Sequence, residues 1–305
     1  MFVYVFFQAD DRMGGTFVCE FTVEWNGMVY SADGEFLVVS DVATDSVQVR
    51  RVSYRSLVRS MGQGTLKRPS RLTISGDGST VFVSDSGLHS VFQYRLDGTL
   101  VQRIGSQGAA AGKFGAPVGL AVSKAGELFV ADSGNHRVQV FRASDGTFLR
   151  QIGGARSSGD GQFHCPVDVA LSPDETELFV VDMGNDRIQV VRARDGQYLR
   201  QWGSWGSEDG EFDSPQSVLV TGSGEVLVTD FGNHRVCAFD MDGTFRRSIG
   251  QGSRASAGPG QLIHPLVAAY NPIAHEMSVM QLQEGSDDTE AGARGRAQVL
   301  VQVFR

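Results

Sequence analysis

Several groups of residues in this 305-residue chain have side chains capable of chemistry. One is a recurring phrase, Asp-x-Gly-Asn-His-Arg or close to it, at positions 132–137, 182–187 and 230–235. It joins a carboxylate, an imidazole and a guanidinium, the groups that acid–base sites use. A second group is scattered: His164, Asp168, Asp213 and His264 carry the nitrogen and oxygen donors that suit zinc or calcium. A third is basic: Arg50, Arg51, Arg55, Arg59, Lys67, Arg68 and Arg71 fall within residues 47–71, a stretch with no acid. Such a run could contact a polyanion. The thiols Cys19, Cys165 and Cys237 form no CxxC pair.

Recurrence decides the first group. Catalysis needs one set of groups around one reacting atom. A phrase present in unit after unit serves what every unit needs. Asp132, Asn135, His136, Arg137, Asp182, Asn185, Arg187, Asp230, Asn233, His234 and Arg235 are therefore expected to be structural. Gly134, Gly184 and Gly232 are expected to supply positive φ in a turn. The asparagines are expected to bond the turn backbone and tolerate left-handed geometry. Each arginine is expected to pair with an aspartate of its own or the next unit.

The phrase belongs to a longer repeat. FLVVSDVATDSVQVR, VFVSDSGLHSVFQYR, LFVADSGNHRVQVFR, LFVVDMGNDRIQVVR and VLVTDFGNHRVCAFD place an aspartate at 41, 85, 132, 182 and 230, spaced 44, 47, 50 and 48 residues apart. Upstream stand KFGAPVGLAVS, QFHCPVDVALS and EFDSPQSVLVT, each with Phe-x-x-Pro. Each copy holds four short apolar runs separated by Gly, Asn and Asp turn signals. In the third copy they are VGLAVS, ELFVAD, RVQVFR and TFLRQIG. Period-two alternation marks strands, and no window carries a helical stripe. Four antiparallel strands per unit of about 47 residues describe a propeller blade.

These phrases, with Phe-x-x-Pro before and Asp-Gly-x-φ-x-x-x-φ-Gly after, resemble the NHL repeat. The resemblance implies an all-β, six-bladed propeller in one domain over 1–305. Clear repeats run over about 27–265, and a degenerate closing blade combines 262–305 with 1–26. Strand material such as FVYVFF and TFVCEF is expected to pair with the last blade, and residues 281–296 to form a solvated loop in it. The first copy departs at Ala43-Thr44-Asp45 and the second at Leu88-His89-Ser90. A lyase that cleaves peptidyl-hydroxyglycine is similar in its repeats and places zinc histidines just after the first-strand proline. Here those positions are Ser70, Val118, Val167, Gln216 and Leu266, which disfavours that activity. The resemblance also suggests substrate recruitment for ubiquitin ligation, although three cysteines without CxxC build no RING or B-box.

Composition narrows the rest. Net charge is −8, which argues against a general polyanion binder, and no apolar run is long enough to cross a membrane as a helix. Cysteine usage points to a reduced, cytoplasmic setting. A propeller places variable residues in the loops that lead into the first strands. The expected binding surface is Lys67, Arg68, Arg71, His164, Asp168, Asp213, Ser217 and His264, which differ from blade to blade. The expected function is a monomeric, non-enzymatic scaffold for a protein or peptide partner, with no cofactor or metal and no membrane. Alternatives are RNA binding through the basic stretch, ubiquitin-ligase recruitment, and a metal-dependent hydrolase or lactonase. Trp202 and Trp205 are expected to pack between blades or anchor a partner.

Overall fold

The computed structural model describes residues 17–21, 25–54, 56–250, 261–283 and 298–304. The expectations for residues 1–12 and for most of 281–296, together with Arg55, lie outside the described residues. A first strand, β1, spans Phe17–Phe21. Five sheets then form from consecutive strands, each an antiparallel meander. The first holds β2–β5 (Trp25–Tyr30, Phe36–Asp41, Ser46–Arg51, Leu57–Met61). The second holds β6–β9 (Pro69–Ile74, Thr80–Asp85, Ser90–Arg95, Leu100–Ile104). The third holds β10–β13 (Pro117–Val122, Glu127–Asp132, Arg137–Arg142, Phe148–Gly153). The fourth holds β14–β17 (Pro166–Leu171, Glu177–Asp182, Arg187–Arg192, Tyr198–Trp202). The fifth holds β18–β21 (Pro215–Val220, Val226–Asp230, Arg235–Phe239, Phe245–Ile249). A further sheet joins β22 (Pro265–Asn271), β23 (Glu276–Gln283) and β24 (Gln298–Phe304) to β1, in the order β1-β24-β23-β22. Phe17 pairs with Val303 and Phe21 with Val299.

The five meander sheets are blades of an all-β propeller, where the sequence led one to expect six, and the first strand of each sheet lies along its axis. β2, β6, β10, β14, β18 and β22 neighbour one another in that order, and β22 also lies beside β2. The four apolar runs of the third copy fall on β10–β13. Among the described residues the only helical turns are two three-residue 3-10 turns, at Ser133–Asn135 and Met183–Asn185.

Two features set the blade. The first is burial of the middle strands on both faces. β11 and β12 are buried at nearly every residue, as are β15 and β16. Gln139, midway along the alternating RVQVFR, is fully buried, because its blade lies between two others. The second feature is the Phe-x-x-Pro phenylalanine. Phe114, Phe163 and Phe212 are fully buried wedges at the start of a blade, and Phe114 and Phe212 pack in tilted pairs against Phe141 and Phe239. Each lies against a glycine at the close of the preceding blade. A Cβ on Gly105 or Gly153 would stand 2.4 or 2.8 Å from a wedge ring, and both glycines have positive φ.

After each first-strand proline the pairing register shifts, for example between Pro69 and Leu72 and between Pro166 and Asp168. Such a bulge re-aims side chains. Arg71, Gly119, Asp168 and Ser217 sit at or within these shifts.

Replacing a wedge removes a ring that collapse cannot replace. Phe163→Ala is expected to cost roughly 3–5 kcal/mol, read as a lower denaturant midpoint at unchanged slope.

Candidate functional site

The aspartate that ends each second strand is fully buried in all five clear copies. Its two oxygens have different tasks. In the fourth blade, Asp182 Oδ1 accepts the His164 backbone N–H at 2.7 Å, fixing the loop that leads into β14. Its Oδ2 accepts from Arg187 Nε (2.7 Å), Asn185 Nδ2 (2.8 Å) and Gln189 Nε2 (3.1 Å). Asp132 repeats this with the Gly115 N–H, Arg137, Asn135 and Gln139. Asp230 does so with the Asp213 N–H, Arg235 and Asn233. Every arginine of the phrase thus pairs within its own blade. Each also reaches back to the connection from the preceding blade: Arg137 Nη2 donates to the carbonyls of Ala110 and Lys113.

The glycine and asparagine of the phrase act differently from the expectation. Gly134, Gly184 and Gly232 do not have positive φ. They are glycines because the leading loop crosses them closely: a Cβ on Gly184 would stand 2.5 Å from the His164 ring, and one on Gly232 2.4 Å from Asp213 Cγ. The left-handed residue is the fifth of the phrase, at φ 54° in His136, 49° in Asp186 and 55° in His234, and also in Asp45 and His89 of the divergent copies. Aspartate and histidine are among the few side chains that adopt that region readily. The asparagines stay out of it and donate across to the interblade connection, Asn135 to Gly108 O and Asn185 to Ser157 O.

That fifth residue latches the next blade. His136 Nδ1 accepts the Cys165 N–H at 3.1 Å, Asp186 Oδ1 the Ser214 N–H at 2.8 Å, and His234 Nδ1 the His264 N–H at 3.1 Å. His89 uses the opposite polarity, its Nδ1–H donating to Gly115 O. In the second blade Ser90 replaces the phrase arginine, and Arg103 on β9 supplies the guanidinium instead, donating to Ser90 Oγ and Leu88 O.

The candidate binding residues divide into two layers. Lys67 and Arg68 are exposed on the leading-loop face; His164, Asp213 and His264 are half-buried there. His164 and His264 lean on the latches, with ring centroids 5.7 Å from His136 and 4.2 Å from His234. Arg71, Asp168 and Ser217 are instead nine-tenths or more buried in the axial channel, out of reach of a docked macromolecule. His164, Asp168, Asp213 and His264 are not brought together; among the described residues no group of three or more His, Cys, Asp or Glu could hold a metal. The basic stretch is also split. Arg50 and Arg51 end β4 at the opposite face from Lys67 and Arg68, Arg59 donates to Leu96 O, and Arg71 enters the channel.

Sequence reasoning passed over the charge pattern of the interblade connections. Trp202 packs between Phe179 and Phe239, whereas Trp205, in the next connection, is 75% exposed. Around Trp205 stand Glu208 and Asp209, exposed; the corresponding connections of the third and fourth blades expose Lys113 and Arg156. The signal was present at the structurally matched positions Gln107, Arg156 and Trp205, each bridged to its wedge phenylalanine. Burial pushes the Cys237 thiol up to about 12, which leaves it protonated and inert.

Blades of four antiparallel strands around an axial channel, each closed by a buried aspartate, define a β-propeller. The NHL repeat family matches residues 114–141 and 212–239, each segment running from a wedge phenylalanine to the aromatic it packs against. Its third and fifth blades thus carry NHL repeats, and the chain is similar to known NHL-repeat proteins. It is 44% identical over 57 residues to the RING finger protein nhl-1 of Caenorhabditis elegans, a match of 19% of this chain and 6% of that protein. It is 36% identical over 64 residues to the protein brain tumor of Drosophila melanogaster, 21% of this chain and 6% of that one. The chain therefore spans a small part of these relatives' length. Among solved structures, a Bacteroides thetaiotaomicron protein of unknown function superposes with a TM-score of 0.70 at 18% identity, over 93% of this chain and 70% of that one. A chain of a nidogen/laminin complex superposes at 0.59 and 18% identity, over 74% and 80%. These two share the fold.

Removing the hub carboxylate strands a buried guanidinium. Asp182→Ala is expected to cost roughly 3–5 kcal/mol, measured by denaturant unfolding. The latch carries a pH signature. Burial, then the neighbouring His164 and Arg156, hold the His136 imidazole below its ordinary value. The folded chain therefore binds this proton less readily than the unfolded chain. The latch's contribution is fully present above the ordinary value of about 6.5 and is lost as pH falls through and below it. Melting temperature is expected to drop on acidification, and His136→Asp, which borrows the fourth blade's acceptor, to flatten that slope.

Proposed function

We propose that this propeller is a non-enzymatic scaffold that captures a protein or peptide partner on the face bearing the leading loops. Exposed Trp205 carries the reading. An indole standing 75% free on a structured connection is the type of side chain that anchors interfaces. The face around it is electrically polarised. Glu208 and Asp209 flank the tryptophan, and Lys67, Arg68, Lys113 and Arg156 occupy the connections of the second to fourth blades. A partner strand with a basic end toward Trp205 and an acidic end toward Arg68 would match both charges. The recurrent His136, His234 and aspartate hubs are committed to holding the ring and take no part in catalysis.

The same reading treats the β1-β24-β23-β22 sheet as a sixth blade that closes the ring by joining the two ends of the chain. The closed ring acts as a monomer in the cytoplasm, where Cys165 stays a free thiol. Closure leaves no unpaired sheet edge on the axis side to invite association. The names RING finger protein and B-box type zinc finger protein among the relatives fit a role in which such a propeller recruits substrates for ubiquitin ligation.

Two measurements test this. Trp205→Ala is expected to weaken capture of the identified, purified partner at least tenfold, about 1.4 kcal/mol, without moving the melting temperature. RNA binding that falls steeply with salt and is lost on charge reversal of Lys67 and Arg68 would replace the reading with an RNA one. Stoichiometric metal lost on replacing His164 would replace it with an enzymatic one. For closure, deleting residues 298–305, which removes the strand between β1 and β23, is expected to lower the melting temperature and promote aggregation. An unchanged melt would reject the shared blade.

A further inference from the structure

The axial channel contains a buried charge pair that the partner-binding face does not use. Arg71 crosses from β6 to the far side, where its Nη2 donates to Gln216 O at 3.1 Å and Leu266 O at 2.8 Å. Its Nη1 is buried with no hydrogen-bond partner. Asp168, on β14, accepts the Val218 backbone N–H at 3.2 Å. Both residues are 7% exposed. Among the described residues no carboxylate comes within ion-pair distance of the Arg71 guanidinium. Burial pushes the Asp168 carboxyl up and holds the Arg71 guanidinium down, each opposed by the other's charge.

Below this pair lies a cavity of about 410 Å³. Arg71, Asp168 and Ser217 line one end; Leu120, Val169 and Val267 are among its apolar walls; Tyr30 and Tyr270 stand at the other end. Residues of the leading loops do not line it. At that end the adjacent first strands approach closely, so that a Cβ on Gly27 would meet Ser70 O at 2.6 Å and one on Gly119 would meet Asp168 Cα at 2.4 Å. The lining extends to Lys124, Pro173 and Glu175 in the turns after β10 and β14, so access is from the face opposite the leading loops. At about 30 Å³ per water, the volume holds roughly a dozen waters or one small organic molecule.

We infer that the channel is a binding site for a neutral small molecule bearing a carboxamide, its carbonyl accepting from Arg71 and its N–H donating to Asp168. A buried guanidinium N–H with no protein partner takes its acceptor from whatever fills the cavity. Arg71 and Asp168 already cancel in charge, so an added carboxylate or ammonium would bury a net charge. A primary amide supplies an acceptor and donors on one planar group and leaves that balance intact. The apolar walls and the tyrosines take the hydrocarbon part.

The site is independent of partner capture, and the test separates the two. Benzamide, benzoate and benzylamine are titrated into the full chain and followed by calorimetry and backbone-amide NMR. Benzamide is expected to saturate one site, with shift changes on the inner strands at Arg71, Thr73 and Asp168, and the two charged analogues to bind at least tenfold more weakly. Thr73→Trp, which fills the channel beneath Arg71, is expected to abolish binding, and Trp205→Ala to leave it unchanged. The proposal is overturned if benzamide does not saturate, if benzoate or benzylamine binds as well, or if the wild-type shifts map to the leading loops. Because the map is made on the wild-type chain, the result does not depend on any variant folding.

Discussion

A fully buried carboxylate at the end of each second strand is the interaction on which the rest depends. In the third to fifth blades one oxygen holds the loop entering its own blade and the other gathers an arginine and an asparagine, joined in the third and fourth by a glutamine; in the first blade Gln48 donates to Asp41. A charge removed from water is costly unless its lone pairs are filled by well-placed donors. The hub meets that demand with backbone and side-chain N–H groups from three elements. Those elements are the leading loop, the turn and the third strand, so satisfying the charge also fixes their relative positions. The arginine extends the effect by donating to the connection from the blade before.

Adjacent blades are then joined by contacts of different kinds at different radii. On the leading-loop face the fifth residue of the phrase accepts a backbone N–H from the next leading loop. Midway out, the wedge phenylalanines fill the space between sheets. At the rim Arg150 and Arg200 each pair with a glutamate of their own blade and donate to a carbonyl of the next, Ala193 and Met241. With every recurrent polar group engaged in this way, the scaffold leaves only non-recurrent positions free to vary. Arg68, His164, Asp213 and His264, in the leading loops of four different blades, stand at such positions.

The departures from expectation share one cause. Gly134, Gly184 and Gly232 looked like sites of positive φ because glycine is the residue that reaches that region at no cost. Their true constraint is the leading loop that crosses them at Gly115, His164 and Asp213, which local sequence does not display. Gln139 and Gln189 alternate with apolar residues along their strands, yet they are buried, because a neighbouring blade covers that face and the hub absorbs their amides. Likewise Arg103 carries the guanidinium that Ser90 lacks, a relocation across two paired strands that no reading of one phrase reveals.

The sequence by itself determined the repeat, its strand content, the turn positions and the fate of the recurrent aspartates, because each follows from local alternation, turn chemistry and recurrence within a few residues. It also separated the recurrent residues from the variable ones. Tertiary structure alone decided how the variable ones are divided: Lys67 and Arg68 onto the surface, Arg71 into the channel only three residues later. A register shift after Pro69 turns that side chain inward, and its partners, Gln216 and Leu266, come from 145 and 195 residues away. Side-chain direction at a bulge and the identity of residues across the axial channel are properties of the assembly in three dimensions, and no local pattern encodes them.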